Sequence, residues 1–365
     1  MTTILGVECN DQDDQLALIS TIPRFTYRKG FRALQNENHS FTITSDTHWG
    51  CCIRCGQSLV AQYVKKLLMK FPKYYNSHFP KRESFLSLFN DTPDAPFSIH
   101  NICKEVIKND GHEGEWVSVS KLSKSLENLM KPDFPIYVCE NSTIVIEEIK
   151  PLFTGESSVL CLIPLMCGFK KFDSRCFQTV VLSVTLPEGI GFISGHKGKA
   201  HYFVGVSSKF FYFFDPHTTK KYVQQGSDQA ILFDPKLKSM KINDISPSLL
   251  LGFAWDSLDE MMSTIECMRK LKFCPISIVD VKSETVISAN DDWDIVEEGE
   301  VIPSFEASFQ EVSLLSGTMR LRKLSDIKNE IKNMKSSNES ESEEPMGLAF
   351  ETDFNKSASI PSEEK

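Results

Sequence analysis

Between residues 51 and 70, Leu59, Val60, Tyr63, Val64, Leu67 and Leu68 recur at three- and four-residue spacing, with Lys65, Lys66 and Lys70 falling late. That period predicts a helix. The same spacing returns over 97–108 through Ile99, Ile102, Cys103 and Val106, and over 120–130 through Leu122, Leu126 and Leu129. Shorter helical pieces are expected at 13–20 and 83–89. From residue 136 the pattern changes. Segments 136–139, 143–146 and 159–165 are continuous runs of β-branched and apolar residues and read as strands. Segment 177–185 fits a helix or a strand, because periodicity does not arbitrate so short an apolar run. Gly189, Gly191 and Ser194-Gly195-His196-Lys197-Gly198-Lys199 predict a mobile glycine-rich loop, and 201–206 with 210–214 a β-hairpin. Helices first and strands after give an α+β class rather than an alternating parallel sheet.

Length changes little in this picture: 365 residues can bury a large core in one domain or two. No apolar run approaches the ~20 residues of a membrane span, and no charged-then-apolar leader opens the chain. Eleven irregularly spaced cysteines then point to free thiols in a reducing compartment, so the cytoplasm is the expected location. A net charge of −9 speaks against nucleic acid as the partner. Segment 325–365 holds ten acidic and five basic residues, a net of −5, and reads as a disordered acidic tail.

The candidate chemistry starts at Thr44-Ser45-Asp46-Thr47-His48-Trp49-Gly50-Cys51, a polar turn and a glycine that place a cysteine at the head of the 51–70 helix. Unpaired N–H groups and the positive dipole end there stabilise a thiolate, which makes Cys51 the candidate nucleophile. Cys52 and Cys55, further into the helix, are expected to be inert buried thiols. The competing readings are three core cysteines, a Cys52/Cys55 redox pair, and zinc on His48, Cys52 and Cys55. The redox pair lacks a preceding strand, and the zinc reading lacks a second ligand pair, so no metal or cofactor is expected. The hairpin ends in Asp215-Pro216-His217. Residues i and i+2 of an extended segment share a side, so Asp215 can orient His217 and raise its basicity, leaving the other ring nitrogen for a thiol. Alone, this stretch is an ordinary strand-ending turn; with Cys51 it supplies a base and its orienter.

These residues resemble the autophagins, papain-like cysteine peptidases that process the ubiquitin-like autophagy modifier. The resemblance is carried by Phe25-Thr26-Tyr27-Arg28-Lys29, Thr44-Ser45-Asp46, Trp49-Gly50-Cys51, Arg54-Cys55-Gly56-Gln57, Leu162-Ile163-Pro164-Leu165, Ala200-His201-Tyr202-Phe203-Val204-Gly205 and Asp215-Pro216-His217-Thr218-Thr219. It implies a papain-like α+β fold with a mostly antiparallel sheet and a helical part carrying the nucleophile. It also implies Cys51 as nucleophile, His217 as general base and Asp215 as its orienter. The Cys51 N–H and the Tyr27 hydroxyl become the oxyanion donors, and Trp116 the wall that admits only glycine before the scissile bond. Gly195 and Lys197 fall in the loop that the family uses as a lid. Three departures stand out: His48 replaces a glycine, Val117-Ser118-Val119 replaces an aromatic and Gly-Pro, and Lys197 replaces a proline.

Asp291-Asp292-Trp293-Asp294-Ile295-Val296 presents an aromatic, two spacers and an aliphatic residue in an acidic setting. Such a peptide can add as a strand to a ubiquitin-like sheet, with Trp293 and Val296 in two pockets. The expected organisation is a peptidase domain over 1–288, a docking segment and short helix over 289–324, and the tail. The expected activity is cleavage after the C-terminal glycine of the modifier, in its precursor and in its phosphatidylethanolamine conjugate, by a monomer that meets the membrane surface transiently through that substrate. The alternative is a scaffold that holds the modifier without cutting it.

Overall fold

The computed structural model describes residues 2–34, 42–79, 84–112, 114–227, 232–233 and 236–281. Trp293, Val296 and the segments expected over 289–324 and 325–365 lie outside the described residues. Among these residues the helices are α1 (Gln12–Ile19), α2 (Cys51–Lys70), α3 (Pro72–His78), α4 (Ile99–Lys108), α5 (Val119–Met130), α6 (Ile146–Ile149), α7 (Phe177–Thr185) and α8 (Leu258–Arg269). The strands begin with β1 (Thr2–Ile4), β2 (Val7–Cys9), β3 (Arg28–Lys29), β4 (Ile136–Val138), β5 (Thr143–Val145) and β6 (Val159–Met166). They continue with β7 (Gly189–His196), β8 (Lys199–Val206), β9 (Phe210–Phe214), β10 (Lys220–Lys221), β11 (Lys238–Lys241), β12 (Ser248–Trp255) and β13 (Ser277–Val279).

The main sheet runs in the order β11-β9-β8-β7-β12-β6-β4, with β1 on β8 and β2 on β1. Only the β4–β6 ladder in it is parallel. Both faces are covered. Along β12, Leu250 and Ala254 enter a core shared with α2, α4 and α5, while Leu249, Leu251, Phe253 and Trp255 enter one shared with α7 and α8. Strand β6 alternates likewise: Leu160 and Leu162 face the first core, and Val159, Cys161, Ile163 and Leu165 the second. Two-sided burial explains why 159–165 is apolar throughout; each such side chain contributes ~1.5–3 kcal/mol on burial. The α+β class and the mostly antiparallel sheet are as expected.

One open choice is resolved and two local expectations change. Segment 177–185 is helical, and all nine residues of α7 are buried between the sheet and its surroundings. The glycine-rich segment is not a loop but the hairpin β7–β8, closed by a two-residue turn at Lys197-Gly198 between the paired His196 and Lys199. Its glycines serve close approach: a β-carbon at Gly191 would lie 2.4 Å from the Phe203 carbonyl oxygen, and Gly191 holds φ +90. Segment 143–146 divides, with β5 passing into α6 at Ile146. The expected hairpin over 201–214 is present as β8 and β9, beginning at Lys199. Among the described residues no helix is long and apolar enough to cross a membrane.

Candidate active site

The approach to α2 is a tight turn. The Asp46 carbonyl accepts from the N–H groups of Gly50 at 2.8 Å and Trp49 at 3.3 Å, and the Trp49 indole N–H donates to the Ser45 carbonyl at 3.0 Å. His48 holds φ +79, a left-handed conformation that costs a residue with a β-carbon ~1–2 kcal/mol, which is the physical reason a glycine suits this position. Gly50 caps α2 without a side chain, so Cys51 begins the helix at its positive end.

Cys51 is 2% exposed. Burial alone would push its thiol up. Hydrogen bonding to His217, the Ala200 backbone, the His217 charge and the Tyr27 hydroxyl outweigh that and bring it below its ordinary value. Its neighbours behave oppositely: burial pushes Cys52 and Cys55 far up, with the nearby Cys51 adding to it, which disfavours the thiolate at both. All eleven cysteines are free.

Strand β9 delivers Asp215 and His217 beside that helix end. The His217 Nδ1–H donates to Asp215 Oδ1 at 2.5 Å, and the His217 backbone N–H to the same oxygen at 3.0 Å. Nε2 has no nitrogen or oxygen partner, which leaves it for the thiol. Burial would lower the His217 ring, but the bonds to Asp215 and Cys51 raise it to about 9. Asp215 would rise on burial, yet His217 and Lys238 hold it far below the usual carboxylate range. Sequence reasoning missed two of its supports. Lys238 donates to Asp215 Oδ2 at 2.7 Å, and Arg24 Nη2 to its carbonyl at 3.0 Å. Both come from distant segments, and no local pattern signals them.

Tyr27 closes the group. Its backbone N–H donates to the Pro216 carbonyl at 2.9 Å, its ring meets the His217 ring edge-on at 5.3 Å, and it is 3% exposed. Burial, then the charge and hydrogen bond of Cys51, push its hydroxyl up, so it remains a donor aimed at the sulfur. His201 was also missed. It sits on β8 one position from the Tyr202–Phe214 pair, so the register places it opposite Asp215, with Nδ1 3.8 Å from Oδ1. Burial holds its ring down to about 4, hence neutral.

A cavity of about 730 Å³ brings together Trp116, Gly195, Lys197, Ala200 and Cys52, so three of the five expected substrate contacts converge beside the head of α2. Lys170 and Phe172, absent from the sequence reading, form part of its wall. Trp116 is 51% exposed, an aromatic available to a ligand rather than packed in the core. The Val117-Ser118-Val119 departure builds the start of α5: both valines are buried, and the Ser118 hydroxyl caps the helix by accepting from the Lys121 N–H. Among the described residues, His201, Asp215 and His217 alone form a group of three metal-type ligands, their atoms within 4.8 Å of one another. Asp215 is already divided between His217 and Lys238, so the set functions as an oriented imidazole. His48, Cys52 and Cys55 do not form such a group.

The fold and this site define a cysteine-type peptidase of α+β architecture. A family profile described as the peptidase C54 catalytic domain matches residues 12–266, and the chain belongs to that family, the autophagins. It is 27% identical over 284 residues to the cysteine protease ATG4B of Xenopus laevis, covering 68% of this chain and 73% of that one. It is 30% identical over 228 residues to the cysteine protease atg4 of Emericella nidulans, covering 58% and 57% respectively. A probable cysteine protease atg4 of Aspergillus oryzae is 31% identical over 229 residues, covering 58% and 56%, so the chain spans little more than half of these fungal relatives. Among solved structures, UfSP from C. elegans overlays with a TM-score of 0.30 at 13% identity, over 67% of this chain and 37% of that one.

Proposed function

We propose that this protein cuts directly after the C-terminal glycine of a ubiquitin-like autophagy modifier, both in the precursor and in the phosphatidylethanolamine conjugate. The observation that carries the reading is the meeting of Cys51, His217 and Tyr27, with His217 held on Asp215 at 2.5 Å. The Cys51 thiolate attacks the glycine carbonyl, and the developing oxyanion takes donors from the Cys51 N–H and the Tyr27 hydroxyl. His217, charged at neutral pH, gives its proton to the leaving amine as the C–N bond breaks. It then takes a proton from the water that hydrolyses the thioester, and the modifier leaves with a free carboxylate. Asp215 orients the ring throughout.

Trp116, Gly195 and Lys197 would line the entry of the modifier tail, and a glycine passes most easily beside an exposed indole. Trp293 and Val296 would add as a strand to the modifier's own sheet. The peptidase domain would span 1–288, followed by the docking segment over 289–324 and the acidic tail. The protein would work as a cytoplasmic monomer that meets the membrane through its lipid-linked substrate.

The test is incubation with a modifier precursor carrying a C-terminal extension, read by intact mass. A cut directly after the glycine, lost in Cys51→Ala, supports the reading. Tight binding without any cut would transfer the protein to the scaffold class.

A further inference from the structure

The motif residues Asp46, Arg54 and Gln57 take no part in the chemistry above, yet they are fully buried, and Asp91 joins them at 1% exposure. Arg54 Nε donates to Asp46 Oδ2 at 2.5 Å, and Arg54 Nη1 donates to Asp91 Oδ1 at 2.6 Å and to Gln57 Oε1 at 2.9 Å. Each carboxylate spends its other oxygen on backbone. Asp46 Oδ1 accepts from the Arg28 N–H at 2.6 Å, and Asp91 Oδ2 from the Val223 N–H at 2.9 Å. Gln57 passes its amide N–H to the Phe97 carbonyl at 2.7 Å.

The backbone atoms held in this way are not arbitrary. Arg28 follows Tyr27. Val223 closes the segment that starts at Asp215-Pro216-His217, and the Asp91 N–H donates back to its carbonyl at 2.6 Å. Arg54 itself lies three residues after Cys51, and its N–H donates to the Gly50 carbonyl at 3.0 Å. One guanidinium therefore reaches the three segments that carry the thiol, the phenol and the imidazole. A direct ladder reinforces two of them: β10 pairs with β3 in parallel, joining Lys220 to Arg28 and Lys221 to Lys29.

Stability alone does not account for such a cluster. Desolvating one guanidinium and two carboxylates is expensive, and well-packed apolar side chains of the same volume often stabilise a core as much or more. What charged, directional bonds provide is a fixed geometry: a planar fork with N–H vectors that apolar packing does not impose. A misplacement of about 1 Å in a reacting group costs on the order of 100-fold in rate.

We propose that Arg54, with Asp46 and Asp91, is a positioning device that sets the mutual placement of Cys51, Tyr27 and His217. The proposal rests on the peptidase reading only for its consequence in turnover; its consequence for the thiol is independent of any substrate. Losing the fork while keeping the charge, as in Arg54→Lys, leaves the head of α2 free to shift against the Tyr27 and His217 segments, which the β3–β10 ladder still joins to each other. The Cys51–His217 and Cys51–Tyr27 contacts then loosen.

The experiment takes the full chain with Arg54→Lys and, separately, Asp91→Asn, both checked for folding by circular dichroism and thermal unfolding. Alkylation of Cys51 by iodoacetamide is followed across pH by peptide mass, and precursor cleavage is resolved into kcat and KM. The expected result in a folded variant is an alkylation profile displaced to higher pH, with kcat down about 10- to 100-fold and KM little changed. A folded variant with the wild-type alkylation profile overturns the proposal. So does failure of both variants to fold, since the network would then hold the fold rather than the site. A displaced alkylation profile in a protein whose wild type never cleaves the precursor keeps the positioning role and rejects the substrate.

Discussion

Gly50 rests against the side chain of Asp46 so closely that a β-carbon at position 50 would lie 2.6 Å from the Asp46 Cβ and 2.7 Å from its Oδ2. The carboxyl group cannot swing away, because Oδ1 is held by the Arg28 N–H and Oδ2 by Arg54. Glycine at the head of α2 is thus a packing requirement as well as a cap. Gly50→Ala should destabilise the protein by about 1–3 kcal/mol, the usual range for overpacking. It should also slow alkylation of Cys51. Urea unfolding against wild type measures the first effect; a loss under about 0.5 kcal/mol would place slack where the geometry shows none.

The hydroxyl of Tyr27 can be tested apart from its ring. Tyr27→Phe keeps the edge-on contact with His217 at 5.3 Å and removes only the donor. The expected outcome is a fall in kcat of order 10²-fold, as for other single oxyanion donors, with KM and thermal midpoint nearly unchanged. A rise in KM at constant kcat would instead make Tyr27 a substrate contact.

The turn at Lys197-Gly198 has φ +49 and φ +77 at its two central residues, the geometry of a tight two-residue hairpin that needs both angles positive. Lys197→Pro fixes φ near −65° and cannot make this turn, so it should open the β7–β8 hairpin tip. Lys197→Asn tolerates the left-handed region and should stabilise the protein slightly. Hydrogen exchange at His196 and Lys199, the pair that flanks the turn, reads both. If the Pro variant exchanges no faster than wild type, another turn serves equally well.

Much of this is legible in the sequence, and what is not has physical causes. Helix α2 and the β8–β9 hairpin declare themselves because each buries a regular set of positions. Cys51 and Asp215-Pro216-His217 were legible because each is a local chemical arrangement. The β7 glycines misled, since glycine supports close backbone approach as readily as mobility, and only the Phe203 carbonyl beside Gly191 distinguishes the two. Asp91, Lys238 and His201 gain their roles through partners 37, 23 and 14 residues away in sequence, and local spacing carries no trace of such contacts.

The charge state of the site fixes its pH behaviour. His217 is raised from 6.5 to about 9, so its contribution to stability is complete below pH 6.5 and is lost as pH rises through about 9. Asp215 is depressed from 3.8, so its contribution is present above pH 3.8 and is lost as pH falls through its lower folded value. Stability measured from pH 3 to 10 should therefore fall on the alkaline side in wild type, and that fall should be smaller in His217→Asn. An identical alkaline limb in both proteins would show that the ion pair contributes nothing.

The most direct measurement is the capture of the nucleophile. A ubiquitin-like modifier ending in a thiol-reactive vinyl ester in place of its scissile bond is incubated with the full chain, and the adduct is located by peptide mass. The predicted result is a single adduct on Cys51, abolished in His217→Ala at neutral pH, with Cys52 and Cys55 untouched. An adduct on either of those two thiols, or the same rate of capture without His217, would contradict the assignment of Cys51 and His217 as one chemical unit.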